Sequence, residues 1–382
     1  MSYLARVRAE LAALDASERR RHVRTALPAG AVDFSSNDYL ALSTAPEVLA
    51  ASRSTGRVGS GGSRLLGGAH PDHAALERDL ADFVGRERAL LFSSGFLAAL
   101  GAVATLARTV DEAYSDERNH ASLIDALRAT RLHRHVHAHG TVPQRARPAP
   151  TAALFVAESI YGMDGDALDV PAFVDALDAG DVALVDEAHA LGVAGPGGAG
   201  LMRDHADPRI VILGTLSKAF GAAGGFIAGP GDVIDLAQNV ARSFVFDTAP
   251  ALPVVLAARA ALELIRAGGA RRGALAANVA RMRAVLESNG AAKSDGSAFI
   301  LESNAHPSAP FVSIILGHEY TALAVARALE ARGYFAPAIR PPTVPPGTSR
   351  LRVTLRADHT AEDIDGFAAA FHAIMGAVVA HA

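Results

Sequence analysis

The chain has 382 residues, half of them hydrophobic, with a formal net charge of -4 and no cysteine. That is enough apolar chain for a large core in two or three structural units. The charge gives no basic field for nucleic acid or an anionic membrane surface, and the lack of cysteine excludes disulfides, thiolate metal sites and a cysteine nucleophile.

Met1 to Ala26 carries Glu10, Asp15 and Glu18 among its arginines and no central apolar block, so it reads neither as a signal peptide nor as a transit peptide. Within it, Leu4, Val7, Leu11 and Leu14 recur at helical spacing and predict a first helix with one apolar stripe. From about residue 74, helix and strand signals alternate: a helix over Ala74–Val84, a short strand over Ala89–Phe92 and a helix over Gly95–Ala107. His133, His135, His137 and His139 alternate along a predicted strand. No carboxylate stands beside them in the sequence, so a partly exposed strand is expected rather than a metal site.

Thr141–Pro150, rich in proline and arginine, reads as a surface loop. The runs Ala152–Ala157, Val182–Val185 and Ile210–Leu213 read as buried strands. Alternation of this kind implies an α/β unit with a mostly parallel sheet covered on both faces and ligands at the carboxyl ends of the strands. After Gly268-Gly269 the pattern changes to a long arginine-bearing helix, strands over Phe311–Leu316 and Arg350–Leu355, and a helix over Thr321–Arg332. This reads as a smaller α+β unit. The boundaries expected are an N-terminal segment over 1–44 packing with the small domain, a large domain over 45–268 and a small domain over 269–382. The tail from Phe367 to Ala382 is shorter than a membrane span and reads as a packed helix.

Three motifs fail. Asp186-Glu187-Ala188-His189 spells a helicase box, but the chain has no Gly-Lys pair to form a phosphate loop. Gly195, Gly197 and Gly200 fit a dinucleotide spacing, yet Pro196 interrupts them and no helix signal follows. The histidine run was set aside above.

Other signals converge. Of 36 cationic side chains only Lys218 and Lys293 are lysine, and an amine can form a Schiff base where a guanidinium cannot. Lys218 sits in Gly214-Thr215-Leu216-Ser217-Lys218-Ala219-Phe220-Gly221. Asp186 closes a buried strand upstream and would emerge at the same sheet rim. A buried aspartate is what a protonated pyridine ring needs as its partner, with His189 available to the ring oxygen. Ser93-Ser94-Gly95-Phe96 joins a strand to a helix start, where backbone amides favour a phosphate. Each signal also has a bland structural reading as a cap or a strand-end pair.

Together these residues resemble the α-oxoamine synthase family of pyridoxal-phosphate enzymes, and the likeness runs over nearly the whole chain. Its landmarks follow in order: Ser36-Asn37-Asp38-Tyr39-Leu40, Gly59-Ser60-Gly61-Gly62-Ser63-Arg64, Asn119-His120-Ala121-Ser122, Met163-Asp164-Gly165-Asp166, Asp186-Glu187-Ala188-His189 and Thr215-Leu216-Ser217-Lys218. The segment Ala338–Thr348 followed by Arg350-Leu351-Arg352 is most similar to members that join L-alanine to a pimeloyl thioester, carried by coenzyme A or acyl carrier protein.

The resemblance implies the pyridoxal-phosphate transferase fold (fold type I) with a seven-stranded sheet, a homodimer and a cytoplasmic location, and no metal. It implies that Lys218 carries the cofactor and moves protons at the substrate Cα, that Asp186 holds the ring nitrogen and His189 the ring oxygen, and that His120 stacks on the ring and meets substrate. Gly95, Phe96 and Thr215 would help seat the cofactor, and Thr248 would reach the phosphate of the neighbouring subunit. Arg352 would bind the amino-acid carboxylate, with Asn37, Thr343 and Arg19 in substrate contact; the run Arg19-Arg20-Arg21 leaves the register of that last match open. Two positions depart from the family pattern: Gly162 stands where serine is usual, and Phe246-Asp247-Thr248 replaces a Tyr-Thr-Thr type of run.

Overall fold

A computed structural model describes residues 1–17, 19–24, 26–143, 145, 151–288 and 299–380. Lys293, residues 144 and 146–150 of the expected Thr141–Pro150 loop, and residues 381–382 of the tail lie outside the described residues. The chain divides into two units, one of residues 37–275 with 305–310 and one of residues 1–36, 276–304 and 311–382.

The larger unit is built on a seven-stranded sheet. Its strands are β1 (Arg88–Phe92), β2 (Glu112–Asp116), β3 (His133–His137), β4 (Ala153–Glu158), β5 (Val182–Asp186), β6 (Ile210–Thr215) and β7 (Gly225–Gly229), in spatial order β1-β7-β6-β5-β4-β2-β3. The pairs from β3 through β6 are parallel, and β7 runs antiparallel to both its neighbours. β4 and β6 are buried at every position, as expected for central parallel strands with both faces covered. Helix Gly95–Leu106 lies against one face, where Ala98, Ala99, Ala102 and Val103 pack on Leu90, Leu154, Leu184 and Leu213. Small alanines let the helix sit close to the sheet, so the strand ends beside its N-terminus are held in fixed register.

The smaller unit contains a four-stranded antiparallel sheet in the order Ala338–Ile339, Ser349–Thr354, Phe311–Gly317, Ile300–Leu301. Helices Glu319–Glu330 and Ala361–Ala380 belong to it, and Phe34, Phe367 and Phe371 are fully buried there. The N-terminal helix spans Tyr3–Ala16, capped by Ser2, and buries none of its residues. The stripe of Leu4, Val7, Leu11 and Leu14 forms as expected, but each is at least partly open to solvent. Among the described residues no helix is long and apolar enough to cross a membrane.

One expectation holds and one is corrected. β3 is partly exposed, as expected, and ends at His137. The histidines do not lack carboxylates: Glu112 on the adjacent strand lies 2.8 Å from His135 Nε2, and His139, beyond the strand, lies between Asp116 (Nδ1 to Oδ1, 3.0 Å) and Asp166 (Nε2 to Oδ2, 2.8 Å). Glu112 and Asp116 are delivered by strand pairing, and Asp166 by the segment after Gly162. The glycines at 195, 197 and 200 form a tight left-handed turn, and a β-carbon on Gly200 would fall on Oε2 of the buried Glu187.

Candidate active site

The carboxyl ends of β4, β5 and β6 open on one cavity of about 250 Å³ lined by Ser94, Gly95, His120, Glu158, Asp186, His189, Thr215 and Lys218, among others. Parallel pairing produces this convergence. Glu158 and Asp186 are register partners at the ends of adjacent strands, and Asp186 faces Leu213 across the next pair. A resident of the cavity therefore meets several functional groups that are far apart in the chain.

One end is built for an anion. Ser94 caps helix Gly95–Leu106, its Oγ accepting from the Leu97 amide at 3.2 Å, which leaves the first amides of the helix facing the cavity. The Thr215 hydroxyl is 2.8 Å from Ser217 Oγ and donates to Gly224 O at 3.1 Å. Gly225 lies so close to the Gly95 backbone that a β-carbon there would stand 2.5 Å from its Cα. The close approach draws the helix start and the β6–β7 turn together.

The other end is acidic and its acids are buried. Asp186 is buried and accepts from the Ala188 amide at 2.9 Å. Burial raises its carboxyl above the usual carboxylate range, while the Lys218 amine, the Ala188 amide and His120 oppose the rise. Glu158 is also buried and accepts from the Gly162 amide at 3.3 Å. Burial and neighbouring Asp186 push it up to about 8, against the pull of Lys218. Such a floor favours a cationic N–H group as its ligand.

Between the two ends lies the amine. Lys218 Nζ is 2.9 Å from His189 Nε2, and His189 Nδ1 is 2.8 Å from the hydroxyl of the fully buried Tyr39. His120 Nδ1 pairs with Ser122 Oγ at 2.8 Å, so its ring stands fixed at the cavity wall. Phe96 lines the mouth and is 44% exposed.

The family model described as class I and II aminotransferases matches residues 29–371 of this chain. An 8-amino-7-oxononanoate synthase of Anaeromyxobacter sp. (strain K) is 42% identical over 390 residues, covering 96% of this chain and 94% of the relative. The chain belongs to the class I and II aminotransferase family, in the branch of the 8-amino-7-oxononanoate synthases. A serine palmitoyltransferase of Sphingomonas wittichii superposes with a TM-score of 0.87 at 26% identity, each chain covered in full. The 8-amino-7-oxononanoate synthase structure from Francisella tularensis, with a TM-score of 0.72 at 21% identity, covers 91% of this chain and 99% of its own, and shares the fold. The fold type expected from the family resemblance is thus the one found.

Of the residues singled out by family resemblance, Gly95, Phe96, His120, Asp186, His189, Thr215 and Lys218 all line this cavity. Asn37 joins through Tyr39, whose hydroxyl lies 3.2 Å from Asn37 Oδ1. Thr248 is exposed on the larger unit, next to Phe246, which is 69% exposed. Arg352 and Thr343 belong to the smaller unit. Arg352 is buried with its guanidinium 3.9 Å from the Phe311 ring centroid and 3.1 Å from Thr354 Oγ1. Of the three consecutive arginines, it is Arg21 that donates to Thr343 Oγ1, at 3.3 Å. Sequence reasoning in this family missed Glu158, because the apolar run was ended one residue early at Ala157. An acid directly after a buried strand was the available signal.

Proposed function

We propose that this chain condenses L-alanine with a pimeloyl thioester in a pyridoxal-phosphate-dependent reaction, releasing CO2 and free thiol and forming 8-amino-7-oxononanoate, a step of biotin biosynthesis. The observation that carries the reading is the single cavity joining Lys218, Asp186 and the N-terminus of helix Gly95–Leu106, in a chain 42% identical to a synthase of that name.

The residues fit pyridoxal phosphate. Helix amides with the Thr215 and Ser217 hydroxyls suit its phosphate, the primary amine of Lys218 suits its aldehyde, and buried Asp186, raised above the usual carboxylate range by burial, suits a protonated ring nitrogen. When bound, the cofactor supplies a carbonyl for the amino acid and an electron sink for charge at Cα. Lys218 would anchor it and would be placed to move a proton at the substrate Cα. Asp186 would hold the protonated ring nitrogen, an interaction that strengthens with charge. His120 would stack on the ring and His189 would face its oxygen. Glu158, neutral at neutral pH, keeps a second negative charge away from Asp186.

Arg352 is assigned to the alanine carboxylate, and Asn37, Thr343 and an arginine of the 19–21 run to substrate contact; the Arg21–Thr343 hydrogen bond favours Arg21 for that place. A homodimer with Thr248 at the neighbour's phosphate is supported by apolar side chains left open on the larger unit, Val58 at 89%, Leu66 at 89% and Phe246 at 69% exposure. Acyl carrier protein is proposed as an alternative carrier to coenzyme A.

The test is a spectral titration of the pyridoxal-phosphate-loaded protein with L-alanine and with glycine, followed by pimeloyl thioester and a thiol-release assay. Alanine-dependent thiol release and a product of the expected mass support the reading. Release with glycine but not alanine, or no cofactor absorbance at all, overturns it.

A further inference from the structure

Gly162 lacks a side chain for a reason of space. Its φ lies outside the left-handed region, so its backbone makes no special demand. A β-carbon built on it would collide with His189 Nε2 and stand 3.0 Å from Cδ2 and 3.2 Å from Cε1 of the same ring. The imidazole occupies the room that a residue at 162 would otherwise fill. From behind, the ring is held by Tyr39, whose hydroxyl is 2.8 Å from Nδ1 and 3.2 Å from Asn37 Oδ1. In front, Nε2 is 2.9 Å from Lys218 Nζ.

We propose that Tyr39 and Gly162 are positioning residues for the condensation: Gly162 vacates the space into which His189 is set, and the Tyr39 hydroxyl holds His189 Nδ1 in either tautomer that the state of Lys218 demands of Nε2. The proposal rests on the cofactor reading above. An ammonium can only donate. While Lys218 is protonated, Nε2 must accept, Nδ1 carries the hydrogen and gives it to Tyr39, and the tyrosine hydrogen turns to Asn37. When the amine is neutral or engaged, Nε2 carries the proton and donates, and Nδ1 accepts from Tyr39. The two arrangements differ by one proton overall, the one Lys218 gives up, which passes to solvent. A hydroxyl serves both arrangements because it donates and accepts, so His189 stays a neutral imidazole in each. Phenylalanine at 39 serves neither. A β-carbon at 162 moves the ring away from the amine.

The experiment combines nitrogen NMR of the histidine side chains in the apoprotein with pyridoxal-phosphate dissociation constants for Tyr39→Phe, Gly162→Ala and the same changes made in a His189→Asn background. His189→Asn also assigns the His189 signals. The Nδ1 signal of His189 should shift in Tyr39→Phe, where its hydrogen-bond partner is gone, and cofactor affinity should fall about tenfold in each single variant, the loss of roughly one hydrogen bond. In the His189→Asn background the same two changes should alter affinity by no more than about twofold, because they act through a ring that is gone. Unchanged His189 signals in Tyr39→Phe, or equal losses of affinity in both backgrounds, overturn the proposal. If the wild-type protein binds no pyridoxal phosphate, the cofactor reading fails by itself, and the apoprotein tautomer signals alone decide the positioning roles.

Discussion

Glu158 and Asp186 end two adjacent parallel strands as direct register partners, which sets two buried carboxyls side by side beneath one amine. Both cannot be ionised cheaply in such a place. Glu158 is the one pushed up to about 8, from an ordinary 4.5, by burial and by its neighbour.

A stability prediction follows from that pair. The folded state holds a proton on Glu158 that the unfolded chain releases above about pH 4.5, so this group contributes fully below that point and its contribution is lost as pH rises to about 8. Glu158→Gln, which mimics the protonated form, should therefore match the wild-type apoprotein in acid and become more stable than it as pH rises, by roughly 4 to 5 kcal/mol at pH 8 and above. Thermal unfolding of the two proteins across this range is the measurement. A gap that does not widen with pH removes the assignment.

Lys218→Ala should abolish condensation and leave no borohydride-fixed adduct on the protein, with circular dichroism unchanged. Intact mass after reduction is the direct check, because the other lysine, Lys293, provides an internal control for non-specific labelling. Turnover at the wild-type rate would exclude an amine-anchored cofactor.

Asp186→Asn keeps the shape of the strand end but replaces the carboxylate with a neutral group that cannot favour a protonated ring nitrogen. Turnover should drop by about two to four orders of magnitude, while cofactor loading persists through the Lys218 amine and the phosphate contacts. Stopped-flow loss of the alanine Cα proton, followed by deuterium exchange, separates this loss from a folding defect.

Much of this was legible in the sequence, for identifiable reasons. Buried parallel strands such as Ala153–Glu158 carry an apolar run unbroken up to Ala157, and Lys218 is one of only two lysines among 36 cationic side chains. The contacts that escaped are those made by register and by packing. The acids around His135 and His139 come from a neighbouring strand and from the segment after Gly162, Glu158 is joined to Asp186 only by pairing, and Gly162 is explained by a histidine 27 residues further along the chain. The uncovered stripe on helix Tyr3–Ala16 shows the converse, since periodicity states which residues share a face but not what packs on it.

Within the smaller unit, the Arg21–Thr343 hydrogen bond singles out one of the three consecutive arginines that the sequence leaves equivalent. Arg21→Ala should raise KM for the acyl thioester about five- to tenfold with kcat little changed, the pattern of lost uniform binding. Arg19→Ala should change either constant by less than about twofold. Steady-state kinetics with varied thioester decide the matter, and the reverse ranking would return the role to Arg19.

His139 makes the last prediction, because both of its ring nitrogens face carboxylates. Burial works against a charged ring there, but hydrogen bonds to Asp116 and Asp166 outweigh it and raise the imidazole from 6.5 to about 9. A group raised on folding gives its full stabilisation below its unfolded value and loses it as pH climbs through its folded one. The stability gap between the wild type and His139→Asn should therefore be largest below pH 6.5 and should shrink steadily toward pH 9. Because Asp166 lies close after Gly162 in the chain, loosening this pair should also weaken cofactor affinity as pH rises through about 9 in the wild type but not in the variant. Chemical denaturation and cofactor titration at matched pH values test both halves, and a gap that grows with pH would show that the ring is neutral in the folded protein.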